Sequence, residues 1–223
     1  MMRPFICAGI PAIACLSLCF HVAADPLSDR LQADNRQLLI ETNRCRGCDL
    51  RNTDLSGLKL VGANLRNADL RGTNLRSTDL RGADLRGATA ATADFSYADL
   101  RAADFRRTDL KDANLSNTHL ANALFKNADL SRVNFSNAYL YGGVDTFTSA
   151  HRIADLEAAN LTGANLSNAN FSFANLSSAN LNGVNLRDAN LDNANLDNAN
   201  LSGVNLCNTI MSDGTVNNRD CKF

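Results

Sequence analysis

The chain has 223 residues, with 22 Lys or Arg against 23 Asp or Glu and no tryptophan. A near-neutral balance and an isoelectric point of about 6.3 argue against binding nucleic acid through bulk charge. Beyond residue 24 the only histidines are His119 and His151, and neither lies near a recognisable nucleophile, metal-ligand spacing or glycine-rich phosphate loop, so the chain does not read as an enzyme and implies no cofactor.

At the N-terminus Arg3 precedes an apolar stretch from Phe5 to Phe20, and Val22-Ala23-Ala24 supplies small residues ahead of Asp25. Residues 1–24 therefore read as a signal peptide and the mature chain as exported to a periplasm, a thylakoid lumen or the medium. The stretch is short and interrupted by Pro11, which disfavours a membrane span. Cys15 lacks the larger residue three positions earlier that a lipoprotein processing site prefers.

Residues 25–47 read as a helical cap. Leu27, Leu31 and Leu38 fall on one face of a helix, and Asp34 with Gln37 forms a loose capping box.

Residues 48–142 repeat every five positions: a small residue, Asp or Asn, Leu or Phe, then two variable residues, as in Ala68-Asp69-Leu70-Arg71-Gly72 and Ala83-Asp84-Leu85-Arg86-Gly87. Neither helical spacing nor strand alternation fits this pattern. Apolar residues two apart share the face of an extended segment, but the next lies three further on, so the chain must turn a corner in every repeat. Turning the same way each time winds it into a solenoid whose coils bury a core only by stacking. His119 falls at the outward position before Leu120 and reads as a solvated surface residue.

Residues 143–153 break the register. The central residue runs from Leu50 to Leu140 in steps of five and resumes at Leu156. Either a one-residue bulge sits inside degenerate repeats, or a loop of roughly ten residues leaves the coil; the turn formers around Gly142-Gly143 favour the loop. Residues 154–211 form a second block, as in Ala194-Asn195-Leu196-Asp197-Asn198, where Asn160, Asn180 and Asn200 should stack in a hydrogen-bonding column. Residues 212–223 read as a C-terminal turn and cap.

These motifs resemble those of the pentapeptide-repeat family over about three quarters of the chain. The resemblance implies an all-β, right-handed, quadrilateral parallel β-helix, with one pentapeptide per side. Roughly 31 repeats at four per coil give about eight coils, on the order of 38 Å at about 4.8 Å per coil. Phe105 and Phe125 then lie one coil apart as core fillers, and Phe95 and Phe135 flank Leu115 on another side.

Removing residues 1–24 leaves Cys45, Cys48, Cys207 and Cys221, an even number in an oxidising compartment. Cys45 with Cys48 would pin the N-terminal cap, and Cys207 with Cys221 would close a loop of about fifteen residues around the C-terminal one. A thiol redox or metal role for the Cys45-Arg46-Gly47-Cys48 motif is the alternative, although no second Cys or His pair completes a zinc site.

Charge divides the rod. Residues 45–142 hold 14 Lys or Arg against 11 Asp, whereas 151–213 hold 2 Arg against 6 acids, so the first half is basic and the second acidic. Arg66, Arg86, Arg106 and Lys126, each twenty residues apart, form one outward column, and His151 with Arg152 sits in the register break. The expectation is a non-enzymatic scaffold whose flat faces bind another protein or an anionic surface. Arg–Asp pairing that solubilises a repetitive surface is the plainer account of the same charges. The family also contains DNA-mimicking proteins that bind a type II topoisomerase. Such a mimic should be acidic throughout and cytoplasmic, which neither the basic first half nor the N-terminal segment matches.

Overall fold

The computed structural model describes residues 26–144 and 151–221; the signal-peptide expectation for residues 1–24 falls outside the described residues. The repeats coil as the five-residue period requires. Parallel bridges link positions twenty residues apart, such as Asp49 with Asp69, Asp54 with Asn74, Lys59 with Asp79 and Asn64 with Asp84, giving four sides to each coil.

Two backbone features generate this geometry. Leu50 N–H donates to Asp69 O (2.8 Å) and Asp69 N–H to Cys48 O (2.9 Å), so each side hydrogen-bonds both up and down the stack. At most corners the N–H three residues after the central residue donates back to its carbonyl, as Thr53 does to Leu50 (3.2 Å). The second residue after the central one carries positive φ, for example Asn52 (54°) and Gly57 (67°), the requirement of a type II turn and the reason for the Gly and Asn there.

The inward residues pack into one continuous core. The central residues from Leu50 to Leu191 are at most 2% exposed. Phe95, Phe105, Phe125, Phe135 and Phe171 form an unbroken run through it, with Phe105 and Phe125 stacked at 4.9 Å and the other neighbours edge to face. Buried inward Thr hydroxyls are satisfied by backbone carbonyls: Thr73 Oγ1 donates to Leu50 O (2.8 Å) and Thr209 Oγ1 to Leu186 O (2.7 Å), both one coil back, and Thr118 Oγ1 to Leu115 O (2.6 Å) within its own turn.

Helix α1 (Pro26–Thr42) covers the first coil. It begins at Pro26, the position where a missing N–H costs nothing, and not at the Asp34 capping box, which lies inside the helix. The inward stripe also differs from the expected leucines. Leu31 and Leu38 are 54% and 45% exposed, while Gln32, Asn35, Arg36 and the fully buried Leu39 face the coil. The reason is what the helix covers: the end of a solenoid presents backbone acceptors, so Asn35 Nδ2 donates to Asp49 O (3.1 Å) and Arg36 Nε to Asp54 O (2.9 Å). Asn43 closes the helix in the left-handed conformation (φ 56°), its N–H on Leu39 O (2.9 Å).

At the register break the chain leaves the coil. Strand β1 (Tyr141–Val144) pairs antiparallel with β2 (His151–Ile153), and the coil resumes with Asp155 bridged to Leu124. The offset between stacked positions changes there from 20 to 31 residues, so the excursion adds eleven residues without interrupting the stack.

The last turns are closed by β3 (Thr209–Ile210) paired antiparallel with β4 (Val216–Asn217). Asp220 Oδ2 accepts from Leu206 N–H (2.9 Å) and Asn218 Oδ1 from Asn208 N–H (3.1 Å), replacing a coil that does not follow. Disulfides join Cys45 to Cys48 and Cys207 to Cys221.

Candidate functional site

The outward residues decide what the solenoid can touch. Asp or Asn precedes most central residues, and its side-chain oxygen accepts the N–H two residues on, as Asp54 does from Ser56 (3.0 Å) and Asn134 from Ser136 (3.1 Å). Asn and Asp then behave differently along the axis, because only Asn also donates. Asn185, Asn165, Asn134 and Asn114 form a ladder, each Nδ2 on the oxygen one coil back, ending on Asp94 at 3.0 Å. In the column predicted from Asn160, Asn180 and Asn200, Asn200 reaches Asn180 (3.1 Å), but Asn180 donates to Thr162 Oγ1 (3.0 Å), which passes the bond to Asn160 (2.7 Å).

Stacked Asp residues repel, and in the first block arginine separates them. Arg81 holds Asp79 at 2.8 Å and reaches Asp99 at 3.7 Å; Arg86 holds Asp84 at 2.6 Å and reaches Asp104 at 3.5 Å. The Arg51 guanidinium beside Asp49 holds that carboxyl at about 2, its hydrogen bonds outweighing the burial that would raise it. Hydrogen bonds from Arg71, Arg81 and Arg86 likewise lower Asp69, Asp79 and Asp84. Much of the basic excess of the first half is thus committed to Asp columns.

The column Arg66, Arg86, Arg106 and Lys126 lines one groove of about 520 Å³ together with Arg107. Arg106 pairs with Asp104 (2.6 Å) and Lys126 with Glu157 (2.7 Å). Two cations are less engaged. Arg66 Nε is buried without a hydrogen-bond partner, 4.0 Å from Asp84, and Arg107 makes no ion pair among the described residues. The groove therefore gathers five cations against Asp84, Asp104 and Glu157.

His151 and Arg152 place their backbone in β2, and their side chains lie outside the described residues. At Cys45-Arg46-Gly47-Cys48 the two sulfurs are bonded, with Cys45 only 1% exposed, whereas reactive pairs are accessible. Among the described residues no three His, Cys, Asp or Glu side chains gather to hold a metal ion, and no helix is long and apolar enough to cross a membrane.

His119, expected on the solvated surface, is exposed there and belongs to an outward aromatic cluster. His119 stacks on Tyr139 with centroids 5.6 Å apart, and Tyr141 stacks on Phe173 at 5.2 Å. His119 and Tyr139 both stand where the repeat has Asp or Asn and lie twenty residues apart, so their pairing was legible. Tyr141 and Phe173 meet across the eleven-residue excursion, which no fixed period reveals.

A family model for pentapeptide repeats (8 copies) matches residues 48–87, 73–112, 108–143, 154–188 and 174–213. Among solved structures, a trypsin-treated form of QnrB1, a plasmid-mediated fluoroquinolone resistance protein, is similar in fold with a TM-score of 0.62 and 22% identity, over 76% of this chain and 83% of that one. HetL, a pentapeptide repeat protein involved in heterocyst differentiation regulation from the cyanobacterium Nostoc sp. strain PCC 7120, is 30% identical over 77% of this chain and 92% of its own, with a TM-score of 0.29. A pentapeptide repeat protein from the Arabidopsis thaliana thylakoid lumen is 27% identical over 62% of this chain and 68% of its own, with a TM-score of 0.22. No curated protein matches by sequence. With its five-residue period, its stacked coils and a family match over both repeat blocks, the chain belongs to the pentapeptide repeat proteins.

Proposed function

We propose that this protein is an exported, non-enzymatic β-solenoid that binds an acidic surface of another protein in the groove lined by Arg66, Arg86, Arg106, Arg107 and Lys126. The observation that carries this reading is the charge imbalance of that groove: its lining holds five cations and no carboxylate, Asp84, Asp104 and Glu157 pair with Arg86, Arg106 and Lys126, and Arg107 is left for an incoming acceptor. A partner carboxylate would pair with the exposed Arg107 guanidinium, which makes no ion pair among the described residues. Export is supported by the apolar segment after Arg3 and by the pairing of all four cysteines beyond residue 24. Likeness in fold to QnrB1 supports a right-handed helix, and the repeat count supports about eight coils. The resistance role of QnrB1 is not carried over, since at 22% identity the likeness is one of fold and the basic groove opposes mimicry of an acidic duplex.

The test is affinity capture from the exported fraction with the chain from Asp25 onward, comparing wild type with Arg66→Gln combined with Arg107→Glu. Neither residue makes a close ion pair, so the melting temperature should hold while affinity for the captured protein falls at least about tenfold. Equal capture by the double variant, or capture solely from cytosol, overturns the reading.

A further inference from the structure

On the next side of the coil lies a second groove, of about 490 Å³, in which the repeat pattern is broken in a concerted way. The residue after the central Leu is Arg81 and then Arg101 in successive coils, but Ala121 in the third and Tyr141 in the fourth. Two coil spacings, about 9.6 Å, separate the Arg101 and Tyr141 levels. With only Ala121, itself 7% exposed, between them, the two levels bound a slot floored by that residue. The wall beside it is the His119–Tyr139 stack, with Tyr139 54% exposed.

These rings are not scattered. Among the described residues five aromatic side chains point outward: His119, Tyr139 and Tyr141 line this groove, Phe173 stacks on Tyr141, and Tyr97 lies under the Arg76 guanidinium at 4.5 Å. A polar solenoid has no structural need for such a cluster, because on another side of the coil Asn at the corresponding repeat positions stacks through axial hydrogen bonds, as Asn134 does on Asn114 (3.1 Å).

We infer that this groove is a saccharide-binding site that takes a pyranose unit of a linear glycan between the levels of Arg101 and Tyr141. Sugar rings present C–H faces that stack on aromatic surfaces, and vicinal hydroxyls that need a donor and an acceptor side by side. Both are present. Arg81 is held by Asp79 at 2.8 Å and Arg101 by Asp99 at 2.5 Å, so fixed guanidinium and carboxylate groups stand beside the rings, with the Asn122 amide in the same groove.

The same facts weigh against other occupants. The two ion pairs bring the local charge close to zero, which removes the attraction a nucleic-acid backbone requires. Added peptide strands need free backbone groups, yet here Leu100 N–H is taken by His119 O (2.8 Å) and Leu120 N–H by Tyr139 O (2.7 Å). This site is separate from the basic groove and stands or falls independently of the protein-binding reading.

The protein carries its own probe. It has three tyrosines and no tryptophan, and two of the three line the slot, so a bound sugar alters tyrosine fluorescence directly. Titrations would use cellohexaose, chitohexaose and hexagalacturonate, with isothermal calorimetry for affinity. Two variants restore what the repeat uses elsewhere and so preserve folding: Ala121→Arg refills the slot, and Tyr139→Asn removes the ring. The expected result is saturable, submillimolar binding of at least one hexaose, weakened about tenfold or more by either variant and unchanged by Tyr97→Ala. The proposal is overturned by no saturable signal with all three hexaoses at millimolar concentration. It is equally overturned by binding that both variants leave intact, or by preference for a single-stranded oligodeoxythymidine over every glycan.

Discussion

Each corner of the coil asks one residue to adopt positive φ, and the sequence meets that demand unevenly. Gly163 (66°) does so without penalty, and Asn tolerates it, but Ala158 (55°) carries the steric cost of a left-handed L-residue. Ala158 is exposed and its side chain has no role in either groove. Replacing Ala158 by Gly should therefore raise stability by about 0.5–1 kcal/mol after the entropy cost of glycine, and Gly163→Ala should lower it by a similar amount. Urea midpoints measure both. Shifts of the same sign would refute the corner argument.

At the level of whole elements, the two blocks hold their outward columns together by different chemistry. The first uses Asp–Arg pairs whose carboxyls are held low, Asp49 at about 2, through the Arg51 hydrogen bonds. A depressed carboxylate adds stability that is fully present above the unfolded value of about 3.9 and lost as pH falls through the folded one. The second block has Asn from Asn160 to Asn205 at the same positions, and amides do not titrate in this range. Between pH 4 and 2, amide exchange should therefore accelerate in the segments carrying Asp49, Asp69, Asp79, Asp84 and Asp99 before 160–205, read by mass spectrometry. Simultaneous loss in both blocks would show that the columns contribute nothing separable.

The C-terminal cap is the second element with a distinct energetic role. Beside it Leu196, Leu201 and Met211 are only partly buried, so closure there rests on Asp220, Asn218 and the Cys207–Cys221 bond. Replacing both cysteines by serine should cost up to about 3 kcal/mol in the chain-entropy model. Because repeats touch only their neighbours, faster exchange should be confined to the last coils and leave residues 60–140 protected. Uniform destabilisation would mean that the rod unfolds as one unit.

For the molecule as a whole, the continuous core and unbroken bridges across the excursion make the two blocks one stack. Leu124 meets Asp155 and Asp129 meets Asn160 with no gap in the column of parallel bridges. Deleting residues 142–152 brings the offset back to twenty and restores the five-residue step from Leu140 to Leu156. Thermal melts should then shift by less than about 1 kcal/mol, since loop length enters stability only weakly. A loss of several kcal/mol would assign the β1–β2 hairpin a part in the core. Binding that survives the deletion would also remove His151 and Arg152 from the candidate surface.

The repeat architecture was legible because its cause is local: a five-residue period with one positive-φ position and two inward residues permits only a cornered chain. Twenty-residue arithmetic then placed Phe105 against Phe125 and gathered Arg66, Arg86, Arg106 and Lys126 in one groove. The capping helix was legible, but its inward face was misread because a helix pattern reports apolar periodicity, and the surface beneath α1 offers acceptors that select Gln32, Asn35 and Arg36. The Tyr141–Phe173 contact was out of reach because an eleven-residue excursion breaks the period that would align them. By itself the sequence determined the coil, its core and its outward columns, since these follow from the repeat. Tertiary structure alone decided which arginines are spent on neighbouring aspartates and which rings meet across the break, since both depend on distances between coils.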